Sequence, residues 1–217
     1  MRLYHFVSPE HGLDDLKKKR VKISLINKLN DPFELQAGFT KPNEEIRNDF
    51  SKFKSKVSKD VGIFCCSKRW HNPLLWSHYA ARHTGIALGL EMPDKKAIEV
   101  KYSKDRPLYT SESLSRQSGN TNYLKKLSRT KFKSWKYEEE VRFVYQLDSL
   151  IFESGNYFNY FDDEMILKEV IIGCQATINE SHILKVLNGF ENITLLWSRM
   201  AYKNFRIVKN LQKIYKI

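Results

Sequence analysis

The chain has 217 residues and carries 37 lysines and arginines against 25 aspartates and glutamates, which gives a net charge of +12. Hydrophobic residues make up 41% of it and aromatic residues 13%, a composition that excludes a disordered chain and predicts one domain over residues 1–217. No stretch approaches the roughly 18 apolar residues of a membrane span, no signal peptide is apparent, and three cysteines are few and odd in number. We therefore expect a cytoplasmic protein without a membrane partner.

Short strands and helices are predicted through the first half of the chain. Ser8 and Pro9 predict a helix start, because serine caps helix N-termini and proline favours the first helical position. Elsewhere, apolar residues at alternate positions predict strands and apolar residues at helical spacing predict helices. In chain order we predict a strand at 3–7, a helix at 9–19, a strand at 21–26, a helix at 44–59, a strand at 61–67, a helix from 72 to about 83, and strands at 84–90 and 97–102.

The second half is richer in strands. We predict a helix at 121–133, a strand at 138–146, extended chain at 150–161, a strand at 167–172, a helix at 179–187, and strands at 193–197 and 206–208. Strands outnumber helices and do not strictly alternate with them. The predicted fold class is therefore α+β, with mixed, mostly antiparallel sheets flanked by helices.

Two carboxylates near the start of the 138–146 strand stand out. Glu138, Glu140 and Arg142 share one face of this strand under a period of two. Such a row is costly to bury without partners, so it belongs at a rim, a cleft or an edge. Two interpretations stay open at this point: a structural ion-paired boundary with Arg142 as the counter-ion, or a functional site.

The positive charge is concentrated in two segments. Residues 113–137 contain seven basic residues and no acidic one, and residues 192–217 contain six basic residues and no acidic one. This pattern is typical either of a solvated lysine-rich surface or of a binding surface for nucleic acid or a phosphate-bearing ligand. The candidate nucleic-acid-binding residues are Lys125, Lys126, Arg129 and Lys133, with Tyr123, Phe132 and Trp135 as candidates for stacking on bases.

Several motifs in order carry a resemblance to a known family. They are Tyr4-His5-Phe6, Asn30-Asp31-Pro32-Phe33-Glu34, Trp76-Ser77-His78-Tyr79-Ala80 followed by Gly85-Ile86-Ala87-Leu88-Gly89-Leu90, Trp135-x-Tyr137-Glu138-x-Glu140-x-Arg142, and Glu169-Val170-Ile171-Ile172-Gly173. With this combination, which spans nearly the whole chain, the sequence resembles the bacterial domain family of unknown function numbered 2971. The resemblance implies a shared site or a shared core, but no activity.

A second resemblance is to the ADP-ribosyltransferase superfamily. It rests on the order of a basic residue in the first strand, a strand that ends in serine, and a late Glu-x-Glu. It implies a split β-sandwich and NAD as the substrate, with Glu140 as the catalytic carboxylate and Glu138 orienting the acceptor. The implied NAD-binding positions are His5 and Ser67. Four residues of the motifs above are further candidates for binding NAD: Tyr4, Asn30, Asp31 and Tyr79. The chain departs from the superfamily's serine-threonine-serine strand by having Cys65-Cys66-Ser67, and the first-strand basic residue is either His5 or Arg2.

These features lead to one expected function and two alternatives. We expect an NAD-dependent ADP-ribosyltransferase-like enzyme that modifies nucleic acid, in the setting of a toxin or a phage-defence effector. The first alternative is a non-enzymatic nucleic-acid-binding module of a defence system. The second is a metal-dependent nuclease, which would need the carboxylates of Asp31, Glu34, Glu138 and Glu140 to converge around magnesium. The cysteines and histidines lack zinc-ligand spacing, so no metal ligand is assigned.

Overall fold

The computed structural model describes residues 1–39, 44–108 and 126–217, and it confirms the α+β class. The strands are β1 (Arg2–Val7), β2 (Arg20–Leu25), β3 (Val61–Ser67), β4 (Ile86–Glu91), β5 (Ile98–Glu99), β6 (Lys101–Ser103), β7 (Thr130–Phe132), β8 (Glu140–Gln146), β9 (Ile151–Glu153), β10 (Asn156–Tyr160), β11 (Ile166–Ile172), β12 (Thr194–Met200) and β13 (Ile207–Lys216). The α-helices are α1 (Pro9–Lys17), α2 (Glu44–Asp60), α3 (Pro73–Tyr79) and α4 (Glu180–Val186). Short 3-10 helices lie at Ile26–Lys28, Asp94–Lys96, Lys133–Glu138 and Leu147–Ser149.

Eleven strands form one large sheet, and β6 and β7 form a separate parallel pair. The main path runs β13-β12-β11-β4-β1-β3-β2-β10-β9, with β8 pairing β3 and β5 pairing β8. Within this sheet β11 and β12 run parallel, and the other pairs are antiparallel. The mixed, mostly antiparallel sheet that the sequence predicts is therefore present.

The central strand β3 has different neighbours on its two edges. On one edge, β8 pairs with it along its whole length, from Val61 to Ser67. On the other edge, β1 pairs with it only at Ser67, and β2 pairs with it only at Gly62 and Ile63. Because β1 and β2 share this edge at opposite ends, the middle of β3 lies between two diverging strands.

Two hydrophobic clusters lie on opposite faces of β1. Leu3 and Val7 point into the larger cluster, together with apolar residues of β2, β3, β4, β8 and β11 and of helices α1 and α4. Tyr4 and Phe6, at the alternate positions, pack on a second cluster that contains Trp76 of α3. This alternation is the period of two expected of a strand buried on both faces.

A close backbone approach fixes the start of β4. A Cβ atom on Gly85 would lie 2.1 Å from the carbonyl oxygen of Val7, so this position accepts only glycine without a backbone shift. The backbone N–H of Gly173 also donates to the carbonyl of Gly85 at 2.9 Å. The strands β1, β4 and β11 are therefore held together at this end.

Most predicted elements are present within one to three residues of their predicted ends. Ser8 caps α1 as predicted, since its hydroxyl accepts from the backbone N–H of His11 at 3.3 Å. Strand β3 covers the predicted 61–67, and β13 extends the predicted 206–208 through Lys216. No helix in the described ranges is both long enough and apolar enough to cross a membrane.

Three predicted elements were wrong in extent. The helix predicted from 72 to about 83 ends at Tyr79, because Ala81, Arg82 and His83 have positive φ angles that an α-helix cannot accommodate. The helix predicted at 121–133 is helical at 126–128 but extended in β7, and residues 121–125 lie outside the described residues. The strand predicted at 138–146 begins at Glu140, after a 3-10 helix that ends at Glu138.

Candidate functional site

A cavity of about 650 Å³ opens along the edge of β3 that β1 and β2 share. Its walls come from β1, β2, β3, α1, α3, the loop after β2, and the segments around Lys131, Glu138 and Glu153. Of the residues singled out in the sequence, those that line it are Tyr4, His5, Asn30, Glu34, Ser67, Tyr79, Glu138 and Glu140. The volume is within the range of cavities that enclose small organic ligands.

Three of the predicted positions form one row across adjacent strands. Tyr4 of β1 lies opposite Ser67 of β3, and Ser67 lies opposite Glu140 of β8. The register therefore brings together the middle of the first strand, the serine at the end of the central strand, and the first residue of the glutamate strand. The Tyr4 hydroxyl bonds the carboxylate of Glu169 at 3.1 Å, and burial raises its pKa to about 12. Tyr4 is therefore a neutral hydroxyl at physiological pH.

His5 takes the place of a strand neighbour for the middle of β3. Its Nδ1 lies 2.8 Å from the carbonyl oxygen of Cys65, and its ring packs on Phe64 with the ring centroids 4.5 Å apart. A carbonyl only accepts, so Nδ1 carries the proton and Nε2 of the neutral ring is an acceptor. Burial lowers the pKa of His5, which favours this neutral form. His5 therefore offers a hydrogen-bond acceptor to a ligand.

The Ser67 hydroxyl links the end of β3 to the segment that carries Glu138 through hydrogen bonds. Its hydroxyl lies 2.5 Å from the carbonyl oxygen of Glu138 and 2.8 Å from that of Arg69, and it accepts from the Arg69 N–H at 3.2 Å. The hydroxyl proton thus already forms a hydrogen bond to a backbone carbonyl oxygen. Ser67 fixes where Glu138 leaves the 3-10 helix, so the serine-capped strand end is a positioning element.

Five charged side chains form a buried cluster beside the cavity. The Lys131 ammonium lies 2.5 Å from Glu138, 2.9 Å from Glu140 and 3.4 Å from Glu34. The fully buried Arg142 guanidinium bonds both oxygens of Glu140, at 2.7 and 3.0 Å, and reaches Glu34 at 2.5 Å. Three carboxylates face two cations, so the cluster carries a formal charge of −1 toward the cavity.

The two glutamates of the Glu-x-Glu motif differ in how their oxygens are used. Both oxygens of Glu140 accept from Arg142, and one also accepts from Lys131. Burial would raise the pKa of Glu140, but the charge and hydrogen bonds of Arg142, aided by Lys131, outweigh it and lower the pKa to about 2. For Glu138 burial prevails and raises the pKa, although Lys131 opposes it. Glu140 is thus a fixed anion at neutral pH, and Glu138 is the more basic of the two.

A hydrogen-bonded chain links three of the predicted positions. The Asn30 side-chain amide donates to the Tyr79 hydroxyl at 2.9 Å, and that hydroxyl donates to one oxygen of Glu138. The other oxygen of Glu138 accepts from Lys131. Each oxygen of Glu138 thus makes one bond, and a second lone pair on each remains for a ligand or a proton.

The opposite part of the cavity contains charges of both signs, because Asp14, Asp15 and Glu153 line it beside Lys18, Arg20 and Lys22. The Arg20 guanidinium forms two bonds to Glu153, at 2.6 and 2.9 Å, and lies 3.8 Å from the centroid of the Phe158 ring. Lys22 and Lys28 also line the cavity, and neither forms an ion pair with a residue in the described ranges. The cavity therefore has an anionic end at the glutamate cluster and a mixed-charge region, with lysine side chains, elsewhere.

Asp31 and the predicted basic residues lie away from this arrangement. Asp31 does not line the cavity; its carboxylate accepts from the backbone N–H of Phe33 at 2.9 Å and so closes a turn. That turn brings Glu34 to the cavity instead. Lys126 and Lys133 are exposed, Arg129 is half-buried, and Lys125 lies outside the described residues.

Lys131 is the site residue that the sequence interpretation missed. It belongs to the basic segment 113–137, which was interpreted as a charged surface, and to the helix predicted at 121–133. In the structure it is buried in β7. The balance of charges could have indicated this role for Lys131. Burying the carboxylates of Glu34, Glu138 and Glu140 beside only one guanidinium requires a second cation nearby. Its ammonium occupies the position between the three carboxylates where the nuclease hypothesis would need magnesium. In the described ranges no group of three or more histidine, cysteine or acidic residues has an arrangement that could hold a metal ion.

One comparison with known proteins found a match. Residues 75–143 match the family model described as Protein of unknown function (DUF2971). This segment contains most of α3, Lys131 and the Glu138–Arg142 motif, so it supports the resemblance on the part of the chain that supplies four of the five charged residues, all but Glu34. No curated protein and no solved structure matches the chain, and the ADP-ribosyltransferase resemblance has no support from these comparisons.

Proposed function

We propose that the protein is an ADP-ribosyltransferase-like enzyme that binds NAD in the cavity along β3. The observation that carries this proposal is the row of Tyr4, Ser67 and Glu140 across β1, β3 and β8, with His5 beside it in the same cavity. The order of these residues in the sequence is the one that the superfamily resemblance implies. The divergence of β1 and β2 from β3 is in keeping with a split sheet of that type.

The proposed reaction transfers ADP-ribose from NAD to a nucleophile. The glycosidic bond between C1′ of the ribose and the nicotinamide nitrogen breaks, and nicotinamide leaves with the bonding electron pair. An oxygen or nitrogen of the acceptor then forms a bond to C1′, and its proton passes to Glu138 and on to water. Glu138 suits this role because its pKa is raised and its oxygens keep open lone pairs.

The anionic cluster supports charge stabilisation in this reaction. Loss of nicotinamide leaves positive charge on the ribose, and a fixed negative charge in a cavity with little water stabilises that charge. Glu140 stays ionised, because Arg142 and Lys131 hold its pKa at about 2. Glu140 also lines the cavity, so its carboxylate can accept a hydrogen bond from a ribose hydroxyl.

The remaining walls suit the rest of NAD. Lys22 and Lys28 line the cavity, and their ammonium groups suit the pyrophosphate. The acceptor nitrogen of His5 suits a ribose hydroxyl or an amide N–H. The volume of about 650 Å³ is large enough for much of a dinucleotide.

The test is release of nicotinamide from NAD by the purified protein, with and without nucleic acid or cell lysate. We expect the wild-type protein to release nicotinamide, and Glu140→Gln to lower the rate by roughly 100-fold or more, the scale seen when one electrostatic stabiliser is removed. Glu138→Gln should chiefly lower transfer to the acceptor.

The matched control is Glu139→Gln, which lies between the two candidates. Glu139 pairs with Arg69 at 3.2 Å outside the cluster, so its loss removes the same charge without touching the cavity. Its rate should stay within about twofold of wild type. Absence of nicotinamide release from the wild-type protein, or equal rates for the Glu139 and Glu140 variants, would refute the proposal.

A further inference from the structure

An aromatic surface lies directly beside the cavity. The rings of His78, Trp135 and Tyr137 form what we term the aromatic triad, with ring centroids 6.0 Å apart for His78–Trp135, 6.2 Å for His78–Tyr137 and 6.0 Å for Trp135–Tyr137. His78 is exposed and the other two rings are half-buried, and none of the three lines the cavity. These rings present apolar faces that the fold does not bury completely.

The triad is joined to the site through Glu138. Tyr137 directly precedes Glu138, and His78 directly precedes Tyr79, whose hydroxyl donates to Glu138. The Lys131 ammonium that bonds Glu138 also lies 5.0 Å from the centroid of the Trp135 ring. The triad is therefore adjacent in sequence to two residues that line the cavity, Glu138 and Tyr79.

The charge around the triad selects an anionic partner. Residues 126–137 contain five basic residues and no acidic one, and Lys126, Lys133 and Lys136 are exposed. The nearby acidic groups are already engaged, since Glu138 is buried in the cluster and Glu139 pairs with Arg69. Aromatic faces among lysines bind single-stranded nucleic acids, because bases stack on the rings while ammonium groups meet the phosphates.

We infer that the aromatic triad is an acceptor subsite, in which a base of single-stranded nucleic acid stacks and presents a ring or exocyclic nitrogen or oxygen to C1′ of NAD. This inference rests on the proposed function and names its acceptor. The nucleophilic atom of the base forms the new bond to C1′, nicotinamide leaves with the electron pair of the broken bond, and the proton of the base passes to Glu138. A duplex is a poor substrate, because its bases are stacked on one another and not free to reach the triad.

The experiment uses the full chain, radiolabelled NAD, and 30-nucleotide single strands of DNA and of RNA of mixed sequence, with the matching duplexes. Two products are followed: nicotinamide, and label on the oligonucleotide. Trp135→Ala should lower the ratio of oligonucleotide label to nicotinamide released about 5- to 100-fold, the range expected for loss of one base-stacking contact. Trp135→Phe keeps an aromatic face and should retain most of the labelling.

Phe205→Ala provides the control for loss of an aromatic ring in basic surroundings. Phe205 lies between Lys203 and Arg206 in the connection from β12 to β13, and 96% of its surface is exposed, so its truncation leaves the core intact. Its labelling should match wild type. Fluorescence anisotropy of the same labelled strands without NAD measures binding independently of NAD cleavage, and Trp135→Ala should weaken that binding by a similar factor.

The outcomes separate the two proposals. If the wild-type protein releases no nicotinamide, the proposed function fails, and the anisotropy comparison alone decides whether the triad binds single strands. If nicotinamide is released but Trp135→Ala labels and binds oligonucleotides as wild type does, the subsite is refuted. Equal losses in Trp135→Ala and Phe205→Ala, or label that appears only on proteins, would also refute it.

Discussion

Replacing Glu140 with glutamine should destabilise the protein in a pH-dependent way. The variant keeps the shape of the side chain but removes the charge that Arg142 and Lys131 hold at 2.7–3.0 Å. Both cations are buried, so the positive charge left without a partner in the protein interior is not screened by solvent.

The magnitude follows from the pKa of Glu140. The value in the folded protein is about 2, against 4.5 for the ordinary side chain. At about 1.4 kcal/mol for each pKa unit, the ionised form adds about 3 kcal/mol to the free energy of unfolding at pH 7. This contribution is fully present above pH 4.5 and is lost as the pH falls toward 2, because the unfolded chain then takes up the proton first.

Urea denaturation followed by tryptophan fluorescence measures this difference, since the chain has four tryptophans. We expect Glu140→Gln to be less stable than wild type by about 3 kcal/mol at pH 7, and the gap to shrink to about half by pH 3. Glu139→Gln, whose partner is an exposed arginine, should differ by less than about 1 kcal/mol throughout. A gap for Glu140→Gln that does not change between pH 7 and pH 3 would show that the carboxylate charge is not what stabilises the cluster.

Three further variants test other parts of the structure. Lys131→Met leaves three carboxylates with one cation and should cost about 3–5 kcal/mol at pH 7 by urea denaturation; a cost below 1 kcal/mol would contradict the buried cluster. Asp15 is buried, and burial raises its pKa to about 7 from 3.8, so its ionisation opposes folding as the pH rises. In urea denaturation Asp15→Asn should therefore be more stable than wild type at pH 8, by about 4 kcal/mol, and lose this advantage below pH 4; an equal advantage at both pH values would refute the assignment. Gly85→Ala should cost about 3 kcal/mol, because its Cβ would meet the backbone of Val7, whereas Gly155→Ala, in open space with φ +76°, should cost about 1 kcal/mol. Similar losses at the two glycines would mean that the clash is relieved by a small shift.

The strand pattern was readable from the sequence, because each strand is defined by local alternation and by its own end signals. The segment 61–67 is an example: its apolar residues and terminal serine predicted β3 with the correct bounds. The same holds for the cap at Ser8, whose side chain accepts from the backbone N–H of His11 as predicted.

The features that the sequence did not predict depend on the arrangement of residues distant in sequence or on backbone angles. Lys131 is extended and buried because three carboxylates from two separate segments converge on it, and no local pattern encodes that convergence. The early end of α3 depends on the positive φ angles of Ala81 and Arg82, which side-chain patterns do not predict. The opening along β3 depends on which strands share its edge, and strand order is not a local property.

The shared edge of β3 has a mechanical consequence. One wall of the opening is joined to β3 only near Ser67, and the other only near Gly62 and Ile63. Between these points the two walls are connected through the side chain of His5, through helix α1 and through the larger hydrophobic cluster. A molecule that touches both walls would add contacts across this opening. When the opening is filled, the amide hydrogens of both β1 and β2 should exchange more slowly with solvent, including those of residues that do not contact the bound molecule.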